Sequence, residues 1–206
     1  MTMTNVDWIG FIVASVAVVL APGPGSLFVA KIAGVGGARA GRTAMLGIML
    51  GDTCLIVFSL LGVSALFSAH PSLFHAVRLA GAAYLIFLGL QSIFGKSKEN
   101  SAVLQDSILP FQHALTITLL NPKAVFFFMA FFPVFIQSVE EGLVAPYASM
   151  TMLFMGISVT YLSIVIYISS KVGLAFQENP TIQSVARKLC GYILIGFGIK
   201  VAIISR

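Results

Sequence analysis

The sequence predicts an all-α integral membrane protein: six transmembrane helices arranged as two inverted three-helix repeats, with proline-broken first and fourth helices. Three observations predict it. Of 206 residues, 58% are hydrophobic and 9% charged, which lies outside the range of soluble domains. Apolar stretches of about 20 residues recur along the chain, each long enough to cross a bilayer as a helix. Two of these stretches are interrupted at mid-length by proline, at Ala21-Pro22-Gly23-Pro24-Gly25-Ser26 and at Asn121-Pro122-Lys123.

Six spans follow from the apolar runs, at about 8–30, 43–66, 73–94, 111–136, 146–169 and 187–204. The first follows Asp7 with no basic n-region, and its apolar run is too long for a signal peptide, so it is read as a span. The connections are short, and residues 96–106 (KSKENSAVLQD) are the most polar and are predicted to be mobile. The chain is therefore one membrane transport domain, 1–206, with halves of about 1–95 and 107–206. The formal charge of +5 comes from basic residues scattered singly between apolar runs. Such scatter makes no nucleic-acid surface, but it does orient the chain in a lipid bilayer. With the N-terminus outside, Lys31, Arg39, Arg42, Lys96, Lys98, Lys171, Arg187 and Lys188 lie towards the cytoplasm, and Arg78, Lys200 and Arg206 lie outside, as the positive-inside rule prefers.

The repeat is carried by two matches. Ala21-Pro22-Gly23-Pro24 aligns with Asn121-Pro122-Lys123-Ala124 at a shift of one hundred positions. Phe87-Leu88-Gly89-Leu90-Gln91 and Gly196-Phe197-Gly198-Ile199-Lys200 close spans three and six. Units of three spans enter the membrane from opposite sides, and in transporters of this kind the substrate sits where the broken helices meet.

Two charged side chains fall well inside a span, Asp52 in the second and Lys123 in the fourth. A charge at bilayer depth costs about 2.5–3.5 kcal/mol on insertion scales unless it is paired or hydrated. An Asp52–Lys123 ion pair, opened reversibly by an ion or substrate, removes that cost; a fixed structural pair, or Lys123 reaching for the interface, does so too. The prolines leave the carbonyls of Val18 and Leu20 without helical partners. A half-helix starting near Gly25-Ser26 then offers amides and a positive dipole end suited to a carboxylate. Asn121 is a natural N-cap for a second half-helix after Pro122. Two such ends with one acid and one base suit a zwitterion, whereas prolines that only shape packing suit none.

Gly47 and Gly51, four apart, allow the second span to pack closely on a neighbour. The aromatic cluster 126–132 is predicted to face lipid and neighbouring helices. Tyr84, Gln91, Gln112 and His113 are candidates to line a path. Cys54 and Cys190 read as small residues within spans. H-E-x-x-H, G-x-S-x-G and Walker A motifs are all missing, so the chain reads as no enzyme, without cofactor, resident metal or direct use of ATP.

With these stretches in view, the sequence resembles the LysE/RhtB family of bacterial amino-acid exporters. The matching segments are Ala21-Pro22-Gly23-Pro24, Gly81-Ala82-Ala83-Tyr84-Leu85 through Gly89, and Leu120-Asn121-Pro122-Lys123-Ala124 running into Phe131-Phe132-Pro133. The resemblance is nearest to the neutral branch, the leucine and homoserine/threonine exporters. It implies export of a small-molecule amino acid from the cytoplasm across the bacterial inner membrane by proton antiport. It also implies roles for Pro22, Pro24, Asn121, Pro122, Lys123 and Asp52. Family members usually carry asparagine after the first proline pair, where this chain has Gly25, so either substrate preference differs or backbone and Ser26 stand in. Two other classes compete: a membrane thiol–disulfide electron carrier, which needs cysteines at the breaks, and a divalent-cation exporter, which needs more ligands than Asp52. Small-residue faces leave room for a homodimer.

Overall fold

An apolar chain without water must pair its backbone groups internally, and the α-helix does so residue by residue. The computed structural model describes residues 6–21, 23–69, 71–94, 109–136, 142–172 and 180–204. They form α1 (Trp8–Leu20), α2 (Pro24–Ala69), α3 (Pro71–Phe94), α4 (Pro110–Leu119), α5 (Pro122–Val134), α6 (Val144–Val172) and α7 (Pro180–Ile204). Within α2 and α6, Pro24–Ala65 and Val144–Lys171 are long and apolar enough to cross a membrane. The pair α4 and α5, bent by 64°, qualifies as a third when taken together.

The predicted spans 73–94, 146–169 and 187–204 lie within α3, α6 and α7. The first two spans come out differently. Residues 31–42, expected to be a connection, are helical on both sides of Gly37, which alone leaves the helix with φ 76° and ψ 178°. Only a residue without a Cβ takes that φ cheaply, so a single glycine separates two helical stretches. The polar segment 96–106 lies outside the described residues.

Close approach between helices is set by glycines. A Cβ on Gly89 of α3 would lie 2.6 Å from the carbonyl oxygen of Gly191 in α7, and the converse holds for Gly191. Gly47 and Gly51 seat α4 against α2 as their spacing predicts, with Thr118 2.7 Å from a Cβ built at Gly51. Around these contacts α3 packs on α7 and α5, α2 on α4 and α6, and α1 on α6 and α7.

The aromatic cluster divides by helical periodicity. Phe127, Phe128, Phe131, Phe132 and Phe135 share the buried face of α5, while Phe126 and Met129 are exposed on the other. Of the two surroundings expected for this cluster, lipid and neighbouring helices, most of its rings meet neighbouring helices. They join Phe11 and Tyr147 in the core, with Phe11 5.6 Å from both Phe131 and Phe132 and Tyr147 stacked on Phe132 at 5.3 Å. Ser59 of α2 donates to the Phe128 carbonyl at 3.0 Å and lies 3.2 Å from the Tyr147 hydroxyl, which gives that buried polar tip a partner.

One end of the molecule is tied together. Asp7 caps α1 by accepting from the Gly10 amide at 3.1 Å, and its own N–H donates to the Phe135 carbonyl at 2.9 Å. Val6 and Ile136 form an antiparallel bridge, and Lys200 pairs with the Asp7 carboxylate. The start of α1 and the ends of α5 and α7 therefore lie side by side.

Two substitutions test this packing. Gly89→Leu forces α3 and α7 apart and should cost at least the ~1–3 kcal/mol typical of overpacking. Phe131→Ala, at a fully buried ring, should cost about 3–5 kcal/mol. Both should lower the unfolding temperature in detergent, and an unchanged midpoint would contradict the described contacts.

Candidate functional site

The site begins with how each break is stabilised. At the C-terminus of α1 the chain extends at Ala21, whose N–H donates to the carbonyls of Ala17 and Val18. Val18 thus keeps a donor, contrary to the expectation from Pro22; the last turn tightens to supply it. Helix α2 then starts at Pro24, which tolerates the first helical position because no partner exists there for its missing N–H. Ser26 secures this start: its Oγ accepts from the Gly23 N–H at 3.1 Å and donates to the Gly23 carbonyl at 3.1 Å. That is half of a capping box with serine in the usual place of Glu or Gln. The amides of Gly25 and Ser26, in the first turn, have no acceptor within their own helix.

The second break is built alike. Leu120 closes α4, its N–H donating to the Thr116 carbonyl at 2.9 Å, and the Asn121 N–H donates to the Thr118 carbonyl at 3.3 Å. Asn121 then precedes Pro122 at the start of α5, its carbonyl accepting from Ala124 at 2.9 Å and Val125 at 3.1 Å. In three dimensions Gly23-Pro24 therefore corresponds to Asn121-Pro122, a shift of 98 rather than 100, because Pro24 and not Pro22 opens the half-helix.

Both breaks line one cavity of about 220 Å³. Gly23, Pro24, Gly25 and Ser26 enter it from the first break, Asn121 and Ala124 from the second, and Asp52 from α2. Among the described residues Asp52 has no hydrogen-bond or ion-pair partner. Pro22 and the side chains of Pro122 and Lys123 lie outside the described residues, and with them the expected Asp52–Lys123 pair. Apolar walls complete the space: Ile48 sits one turn before Asp52, with Leu88, Phe127, Phe128, Phe154 and Leu162 around it. A Cβ on Gly25 would meet the Ile48 Cδ1 at 3.0 Å. Glycine at this position therefore leaves Ile48 its place in the wall.

The path candidates fall elsewhere. Gln91, Gln112 and His113 are exposed, and Tyr84 rests on Phe87 and Phe126; none of the four lines the cavity. Four polar lining residues were not singled out from the sequence: Ser92, Thr118, Ser158 and Tyr161. The Tyr161 hydroxyl faces Ser26. Ser158 and Tyr161 stand three apart in an apolar helix, so they share a face, and that spacing was the available signal. Cys54 and Cys190 are free thiols and line no part of the cavity.

The arrangement can hold a small solute with a charged end and an apolar end: amides at a helix start for an anion, a carboxyl for a cation, and aromatic and aliphatic walls for a side chain. Comparison with known proteins bears on which solute. An uncharacterized membrane protein of Pseudomonas aeruginosa is 34% identical over 212 residues, covering 98% of this chain and 97% of its own length. The leucine efflux protein of Salmonella typhimurium is 29% identical, covering 93% and 92%. That of Klebsiella pneumoniae is 28% identical, covering 95% and 94%. No solved structure matches. Residues 16–205 match the LysE type translocator family, and with nearly the whole chain inside that match, this membrane protein belongs to it.

Proposed function

We propose that the protein exports neutral amino acids, of the size of leucine, threonine or homoserine, from the cytoplasm in exchange for protons. The observation that carries the reading is the convergence of both half-helix starts and Asp52 on one cavity with apolar walls. Relatives named leucine efflux proteins across more than nine-tenths of the chain support the substrate class.

In this reading the amides of Gly25 and Ser26, with the start of α5, hold the substrate carboxylate. The apolar wall takes its side chain. Asp52 exchanges a proton for the substrate ammonium, because a carboxyl in an apolar surround is cheap when neutral and costly when ionised and alone. Lys123 serves as the countercharge of Asp52 or of the substrate carboxylate. The two halves form inverted repeats of three spans each, with N- and C-termini outside. Supporting this, α1 starts where α5 finishes, so the two broken helices run in opposite directions. Each break lies about 20 Å along from that shared end at ~1.5 Å per residue, within a hydrocarbon layer of about 30 Å. Access alternates as one half rocks against the other.

Counterflow in proteoliposomes with a panel of labelled amino acids tests the reading. The wild type should exchange leucine-sized neutral substrates and ignore arginine and glutamate; no exchange of any amino acid would overturn it. Asp52→Asn should keep counterflow but lose export driven by an imposed pH gradient by at least tenfold, and pH-driven export at the wild-type rate would remove the proton role from Asp52. Gly25→Asn crowds Ile48 and should disfavour leucine against alanine by roughly tenfold, within the ~1–3 kcal/mol that one methylene commands in an apolar pocket.

A further inference from the structure

A continuous run of aromatic rings leads from the cavity lining to an ion pair near the surface. It begins at the lining residues Phe127, Phe128 and Phe154. From there ring contacts pass through Phe131 (4.6 Å from Phe127 and 6.3 Å from Phe154) to Phe135 at 4.9 Å and Phe197 at 6.0 Å. The Lys200 ammonium lies 5.8 Å from the Phe197 ring centroid and pairs with Asp7. Phe131, Phe135 and Phe11 are at most 1% exposed, so among the described residues this layer is closely packed.

Four helices agree on the direction. Along α1, α5, α6 and α7, the lining residues Val18, Asn121, Ser158 and Leu194 lie on one side of the rings, and Asp7, Ile136, Leu143 and Lys200 on the other. Asp7 is the point where the far end converges. Its N–H binds the last turn of α5, one carboxylate oxygen caps α1, and the other holds Lys200 of α7. Three helices that contribute to the cavity or its plug are thus joined through a single residue.

We propose that Asp7, Lys200 and the Val6–Ile136 bridge form the latch of the outer gate, and that the plug of Phe11, Phe131, Phe135 and Phe197 is the gate itself. This rests on the transport reading for its place in a cycle. Releasing substrate through these rings requires α1 to part from α5 and α7, which the ring contacts and the Asp7 ties hold together. The latch favours the closed state modestly, as befits a contact that must open in every turnover: exposed ion pairs shift an equilibrium by about 1.5–5-fold.

The test uses the full chain in proteoliposomes with Cys54 and Cys190 replaced by serine. Bridge partners stand about 4.5–5.5 Å apart at Cα, within disulfide range, so Val6→Cys with Ile136→Cys can be oxidised with copper–phenanthroline and reduced again. Oxidation should stop leucine counterflow at least tenfold, reduction should restore it, and substrate binding to the oxidised protein in detergent should remain. Oxidised protein that still exchanges within twofold of the reduced form overturns the proposal. A second measurement needs no transport. With Ser158→Cys as reporter, Lys200→Met should raise labelling by a membrane-impermeant thiosulfonate from the Asp7 side about 2–5-fold, and Asp7→Lys with Lys200→Asp should return it to the starting rate. Unchanged labelling in Lys200→Met overturns the latch even if no amino acid is found to be transported, so the two readings fail separately.

Discussion

Everything in this molecule follows from what a helix break costs where water is scarce. A proline at a helix start removes one donor, and the first turn leaves other amides unclaimed. Lipid can satisfy none of them, so both breaks must lie inside protein. Among the described residues, all seven helices accordingly contribute to the lining of the cavity on which they open. The breaks determine where the cavity is, and the cavity in turn determines where the long helices α2 and α6 must pass. A polar lining within an otherwise apolar molecule is the residue of this requirement, and Asp52, without a hydrogen-bond or ion-pair partner among the described residues, sits in it.

The second organising feature is the division of labour between glycine and phenylalanine. Glycines bring main chains together at the α3–α7 and α2–α4 crossings, and phenylalanines fill the space where helices diverge. Helix α5 has no glycine and serves two ends within thirteen residues: its first turn lines the cavity and its later turns build the plug. Motion of the first turn and packing of the plug are therefore mechanically linked along one short rod. Ser59, bonded to the Phe128 carbonyl and close to the Tyr147 hydroxyl, ties that rod laterally to α2 and α6.

Much of this was legible in the residues. Proline spacing located both breaks, hydropathy located the helices, and the isolated charge of Asp52 marked the cavity. The sequence could not separate the first two spans correctly, because residues 31–42 contain charges and glycines that suit a loop and a helix equally; only the φ of Gly37 distinguishes them. Nor could it tell which proline of a pair opens the half-helix, since that depends on Ser26 reaching back to Gly23. Nor could it tell which rings of the phenylalanine cluster stay exposed and which meet neighbouring helices, because bulk hydropathy says nothing about which face of α5 meets α1. Ser158 and Tyr161 were invisible for a related reason: single polar residues in an apolar span acquire meaning only once the facing helix is known.

The seating of α4 in the notch of Gly47 and Gly51 has a consequence for how such a site can diversify. The acid at position 52 directly follows Gly51, which lies against the Thr118 side chain of α4, and one turn earlier Gly47 seats the α4 main chain at Phe111 and Leu115. Lining residues such as Ile48, Phe127 or Leu162 can then be exchanged without carrying the carboxyl with them. A scaffold of that kind separates the machinery from the taste: the former is inherited in the backbone, and the latter is free to drift.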